Sequence, residues 1–267
     1  MKSLSQIGVL ILMISLFASC EKVININLND TEKRYVIEGN ISNEGGNCTV
    51  TITQTKNFNE DNNFPGVTGA IVTVSDNGFA PKQLVETAPG KYATTAINGT
   101  IGHTYTLNIN VAGRSFTSSS KMPVLVNLDS LYVEESFFFG DSAKVVNIKY
   151  NDPVETGNAY QFVQYKNAVE EKTIFVTNDD YTNGRPVTTP LFIFADDDED
   201  KKLKKGDTIK IVMKCIDPGY YKYLYSIDAA TGSSNNATPA NPVSNISGGA
   251  LGYFSAHTTQ SKTLVVK

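Results

Sequence analysis

Arg34-Tyr-Val-Ile-Glu-Gly-Asn-Ile41 and Cys48-Thr-Val-Thr-Ile-Thr-Gln54, two runs rich in β-branched and aromatic residues with Asn and Gly between them, decide how this chain is read. Such residues fit a pleated, half-buried surface, and the Gly, Asn, Asp and Pro that bound the runs supply turns. The pattern returns at 70–74 and 103–110, and again at 130–134, 144–150, 159–166, 172–176, 190–194 and 208–215. Asp76-Asn-Gly78, Asn98-Gly99 and Asn183-Gly184 offer the positive φ that tight turns require. Strand, turn and strand at this spacing predict an all-β protein of sandwich type.

The Ser-rich stretch Ser115-Phe-Thr-Ser-Ser-Ser120 and Met122-Pro123 mark a boundary. Two β-sandwich-like modules are expected, at 30–122 and 123–267, the second with one short helix. Asp217 is placed to cap that helix and Pro218 suits its first position. It carries Tyr220, Tyr221, Tyr223 and Tyr225. Helical spacing assigns Tyr221, Leu224 and Tyr225, with Ile227 or Asp228, to the packed face, and leaves at least one of Tyr220 and Tyr223 exposed. Tyrosine brings flat area with a polar tip, so this helix is a candidate partner or ligand surface. Tyr220, Tyr223, Asn245 and Tyr253 are its expected members. The Gly248-Gly249 and Gly252 region precedes a strand pattern and no helix, so it lacks the anion-holding geometry of a phosphate loop and reads as a tight turn against neighbouring backbone. Tyr253 and Phe254 then fall on opposite faces of the last strand, one core and one exposed.

The N-terminus tells where such a protein works. Met1-Lys2 gives a basic start, residues 7–17 an apolar core too short to span a bilayer, and Ala18-Ser19-Cys20 a small-residue cleavage site ending in a thiol. Residues 1–19 read as a lipoprotein signal peptide, Cys20 as the acylated first residue and 20–29 as a linker. Phe17 stands where such signals usually carry Leu. No second apolar run is long enough to cross a membrane, so lipid is the expected anchor.

The remaining chemistry is sparse. A net charge of −4 without a dense Lys/Arg stripe argues against nucleic acid as a partner. Cys48 and Cys215 sit on strand patterns, where buried free thiols are the commoner reading, although a disulfide is open to an exported protein. Two histidines cannot assemble a zinc-type cluster. No cofactor is expected. Asp196, Asp197, Asp198 and Asp200, with Glu199, form the best metal candidate, for weak calcium binding, but lack the alternating ligands and internal glycine of a calcium loop; a solvated surface loop is the commoner reading of such a run. Asp-Ser/Thr-apolar triplets at Ser130, Ser142 and Thr208 resemble an O-glycosylation signal of exported Bacteroidota proteins.

Cys20, Tyr35-Val-Ile-Glu-Gly39, the tyrosine helix and Asn241-Pro-Val-Ser-Asn-Ile-Ser-Gly-Gly249, followed by Gly252-Tyr-Phe254, together resemble the Bacteroidota lipoproteins grouped as domain of unknown function 4249. The 30–122 module resembles transthyretin-like and carboxypeptidase-regulatory-like sandwiches, which implies a spacer or docking role. The wider resemblance implies an outer-membrane lipoprotein, often encoded beside a TonB-dependent receptor. The leading expectation is a non-enzymatic accessory or ligand-binding partner of such a transporter, then a structural or adhesive surface protein, then a hydrolase with an unrecognised site. Neither a nucleophile-and-base arrangement nor a nucleotide loop is present to favour the last.

Overall fold

The computed structural model describes residues 32–45, 48–57, 60–61, 63–138, 141–193, 202–231 and 241–267. Cys20 and Asp196, Asp197, Asp198 and Asp200 lie outside the described residues. Residues 33–56 and 61–267 belong to one compact unit. It is all-β with a single helix among the described residues, as the strand and turn pattern predicts.

Two three-dimensional cores organise it. In the first, β1 (Tyr35–Ser42), β2 (Cys48–Gln54), β5 (Val85–Ala88) and β6 (Lys91–Thr94) form one end of a nine-stranded sheet, ordered β1-β2-β6-β5 there. The facing sheet is β3 (Ile71–Asp76), β4 (Lys82–Gln83), β7 (Thr104–Val111) and β8 (Arg114–Lys121), ordered β4-β3-β7-β8. Alternate residues from both sheets, among them Ile37, Ile41, Val50, Ile52, Val72, Val74, Leu107 and Ile109, meet in one apolar cluster. Period-two burial is what a half-solvated strand requires.

The second core lies between a three-stranded sheet and a larger one. The former is β9 (Leu128–Phe138), β10 (Asp141–Asn151) and β14 (Pro186–Leu191), ordered β14-β10-β9. The latter holds β11 (Ala159–Lys166), the short β12 (Val169–Glu170) and β13 (Phe175–Asn178), which both pair with β11, and β15 (Thr208–Ile216). Leu128, Ile148, Tyr150, Tyr160, Phe162, Ile211 and Met213 are among the side chains enclosed.

β16 (Leu251–Val265) belongs to both cores. Leu251 to His257 pair in parallel with β1, and Thr258 to Val265 pair antiparallel with β15. Even-numbered side chains near its two ends point inward: Phe254 and Ala256 enter the first core, and Leu264, with Val266 just past the strand, packs on the second. At roughly 3.3 Å per residue, this 15-residue strand is a spine about 50 Å long.

The turns mostly follow the sequence reading. Asn77 and Gly78 have φ of 45° and 78°, and Gly184 has 67°. Gly99 differs: it does not adopt positive φ, and it is needed because a Cβ there would stand 2.1 Å from the Ser42 carbonyl oxygen. Cys48 and Cys215 are buried free thiols in separate cores, and burial pushes the Cys48 thiol up to about 12.

Candidate binding surface

The helix, α1 (Pro218–Thr231), begins where β15 leaves the second sandwich. Asp217 Oδ1 accepts the amides of Gly219 (2.8 Å) and Tyr220 (3.2 Å), and Pro218 occupies the first helical position. The cap is tied to the spine: Ala256 N–H donates to Ser120 Oγ (2.8 Å), and the Ser120 hydroxyl donates to Asp217 Oδ2. Burial raises the Asp217 carboxyl above the usual carboxylate range, against the pull of the Ser120 hydroxyl and the helix amides.

Asn245 completes this arrangement. Its side-chain amide donates to the Phe254 carbonyl (2.8 Å) and accepts the Phe254 N–H (2.9 Å), while Ser118 Oγ donates to the Asn245 carbonyl (2.8 Å). Along its first half β16 has β1 on one side only, so Asn245 and Ser120 satisfy backbone groups on the other edge that would otherwise be buried without partners. Asn245, expected at a partner surface, has its amide committed to this pairing.

The helix presents a different face from the expected one. Tyr220, Tyr223 and Leu224 are buried and Ile227 is half-buried, at i, i+3, i+4 and i+7, so the packed stripe is shifted by one residue. Tyr220 and Tyr223 are only 4% and 9% exposed, which corrects the expectation that one of them faces solvent. The reason lies in the sheet beneath: Tyr253 projects from β16 and its ring stacks on Tyr220 at 4.4 Å and meets Tyr223 at 5.0 Å. Ala159 and Ile216 floor the same cluster. Phe254 points to the opposite face and is fully buried, so Tyr253 and Phe254 do divide between faces, but Tyr253 is roofed by the helix. Asn40 Nδ2 donates to the Tyr253 hydroxyl at 3.3 Å. Burial pushes the Tyr223 hydroxyl up to about 12, with Glu38 and Tyr253 adding to it.

The exposed tyrosines are others. Tyr225 is 57% exposed and stacks on half-buried Tyr221 with ring centroids 5.8 Å apart. Burial, then neighbouring Tyr225 and Asp180, raise the Tyr221 hydroxyl above its ordinary value. Asp180 accepts a hydrogen bond from Asn178 Nδ2 (2.7 Å), and its neighbour Tyr181 is 91% exposed in the loop between β13 and β14. That loop is held from below: buried Asp179 accepts the Asn158 N–H (2.8 Å), and Asp152 accepts the Thr182 hydroxyl (3.0 Å) and the Tyr160 hydroxyl. A lone tyrosine in a turn carries no periodic signal, so Tyr181 escaped the sequence reading; Asp179-Asp180 and Asn183-Gly184 around it were the only hint.

Among the described residues no three His, Cys, Asp or Glu side chains are grouped to hold a metal ion. Ser142 and Thr208 are exposed and Ser130 is half-buried. His103 pairs with Asp76 at 2.7 Å. His257 is buried on β16, its Nδ1 3.1 Å from Ser255 Oγ, and burial, helped by Lys214, pulls its pKa down to about 3. The unfolded chain therefore binds the proton first, and stability falls as pH drops from above 6.5 toward 3. We expect about 2 kcal/mol to be lost between pH 8 and pH 5 through this group. Denaturant titrations at both pH values should show that loss in the wild type and a smaller one in His257→Gln; equal losses would contradict it.

The profile of the family described as domain of unknown function DUF4249 matches residues 21–263. The chain belongs to this family. No curated protein matches it. Among solved structures, this DUF4249 protein is similar to the chicken interferon gamma receptor alpha chain at 9% identity, covering 70% of this chain and 90% of that one, with a TM-score of 0.21.

Proposed function

We propose that this DUF4249 protein is a non-enzymatic outer-membrane lipoprotein of a Bacteroidota cell, held by acyl chains on Cys20, that serves as an accessory or ligand-binding partner of a TonB-dependent transporter. The export signal and Cys20 support the anchor, and the family match beginning at residue 21 agrees with a mature domain that starts just past the acylated cysteine. The observation that carries the binding role is the exposed pair Tyr181 and Tyr225, the latter stacked on half-buried Tyr221, beside Asp180 on a braced loop and a packed helix. Rigid aromatic side chains with polar tips contribute contact area at low entropic cost. The absence of catalysis in this reading is supported by the use of both histidines within the fold, one hydrogen-bonded to Asp76 and one kept neutral by burial.

The test is capture from gently solubilised membranes. With tagged wild-type protein a transporter is expected to co-purify in near-stoichiometric amount, and the Tyr181→Ser/Tyr225→Ser pair is expected to reduce that recovery about tenfold with a change in stability near 0.5 kcal/mol. Recovery unchanged by the double variant would remove these tyrosines from the interface. Binding to cells or matrix with no transporter recovered would favour an adhesive role instead.

A further inference from the structure

The open side of the second sandwich has chemistry of its own. β9 pairs with β10 along one edge, and its other edge ends the three-stranded sheet. At its start that outer edge is closed by side chains from β16: Gln260 Oε1 accepts the Leu128 N–H (2.9 Å), Gln260 Nε2 donates to the Val126 carbonyl, and Lys262 Nζ donates to the Asp129 carbonyl (2.8 Å). From Ser130 onward no strand, turn or side chain among the described residues hydrogen-bonds to it. Ser261 to Val265 of β16 likewise pair on one side only, with β15. Between these two edges lies a groove of about 350 Å³ lined by Leu131, Val133, Glu135, Lys144, Leu264 and Val266. Phe137, 75% exposed, stands beyond it.

An unpaired strand edge offers alternating backbone donors and acceptors, and what satisfies them is another extended chain. Charge decides which chain. If two copies of β9 paired antiparallel over residues 130–138, Glu134 at the midpoint would stand opposite Glu134 of the second copy, with Glu135 next to it; like charges placed so are destabilising. Neither Glu134, exposed opposite Val145, nor Glu135, opposite Lys144, forms an ion pair among the described residues, because Lys144 Nζ donates to the Lys267 carbonyl (2.9 Å); Glu134, with no lysine opposite it on β10, is the less compensated of the two. The edge therefore disfavours a second copy and favours a strand with a cation facing Glu134.

We propose that the outer edge of β9, from Ser130 to Phe137, docks an extended segment of a partner protein that carries a lysine or arginine opposite Glu134. The site lies toward the far end of the β16 spine from Tyr35, whose strand pairs with the start of β16. It is separate from the tyrosine surface and does not depend on it.

The test uses full-length protein in mild detergent and two synthetic ten-residue peptides of alternating Thr and Val, one with a central Lys and one with a central Glu. The Lys peptide should bind and slow hydrogen exchange of amides within 130–138, and Glu134→Lys should weaken it about tenfold while gaining affinity for the Glu peptide. Glu134 is exposed, so the variant should fold. The proposal is overturned if neither peptide binds, if protection appears elsewhere, if Glu134→Lys leaves the preference unchanged, or if these amides become protected at high protein concentration without any peptide.

Discussion

Gly252→Ala should lower stability by about 3–5 kcal/mol, which for a chain of this size is a fall in melting temperature of roughly 10 °C or more. Gly252 has a φ of 98°, where side chains other than hydrogen are strained, and a Cβ at this position would stand 2.0 Å from the Ile37 carbonyl oxygen. That carbonyl belongs to β1 at its contact with the spine, so neither strand can move away without breaking the parallel ladder from Val36↔Leu251 to Ser42↔His257. The neighbouring Gly249→Ala is the control. Gly249 also has positive φ, 84°, but open space around its missing Cβ, so only the backbone strain of about 1 kcal/mol should appear. Thermal and denaturant unfolding of the two variants against the wild type would measure the difference. Equal, small losses would mean that the β1–β16 contact is looser than described.

The contrast between these two glycines also marks how far the sequence could be read. Runs such as Tyr35–Ser42 and Thr208–Ile216 announce themselves because burial of every second side chain demands a period of two. The start of the helix was equally visible, since Asp217-Pro218 is a local capping signal that needs no tertiary partner. Its phase was not. Four tyrosines in six positions make several faces almost equally apolar, and only Tyr253 on a distant strand selects Tyr220 and Tyr223 for burial. The role of Asn245 was hidden for a related reason. Its amide mimics a neighbouring strand for Phe254, and the need for that mimic arises only because β16 has one ladder partner over its first half.

Ser118 and Ser120 show the same limit from the other side. Both point inward on β8, where the hydrophobic alternation predicts apolar residues, and their hydroxyls are used there: Ser118 bonds the Asn245 carbonyl, and Ser120 joins the edge of β16 to the helix cap. Tight backbone packing, expected for the whole glycine-rich ending, holds at Gly248 and Gly252, where an added Cβ would stand 2.5 Å from the Ser115 carbonyl oxygen and 2.0 Å from that of Ile37, but not at Gly249, which has open space around it. What no local pattern contains is that the strand that completes the second core also completes the first, since its pairing with β1 joins residues more than 200 positions apart.

The claim at the centre of this account is that a β-sheet protein with an exposed tyrosine surface is tethered to a membrane by lipid on Cys20, and Cys20→Ser tests it most directly. Each buried methylene contributes about 0.8 kcal/mol, so two or three acyl chains hold a protein on a bilayer almost permanently, whereas losing them removes that free energy entirely. No helix among the described residues is long and apolar enough to cross a membrane. After cell fractionation with a high-salt wash, wild-type protein should sediment with the membranes. The Cys20→Ser protein should be recovered almost wholly in the supernatant, with an unfolding midpoint equal to that of the wild type. A serine variant that still sediments after the salt wash would contradict the lipid anchor.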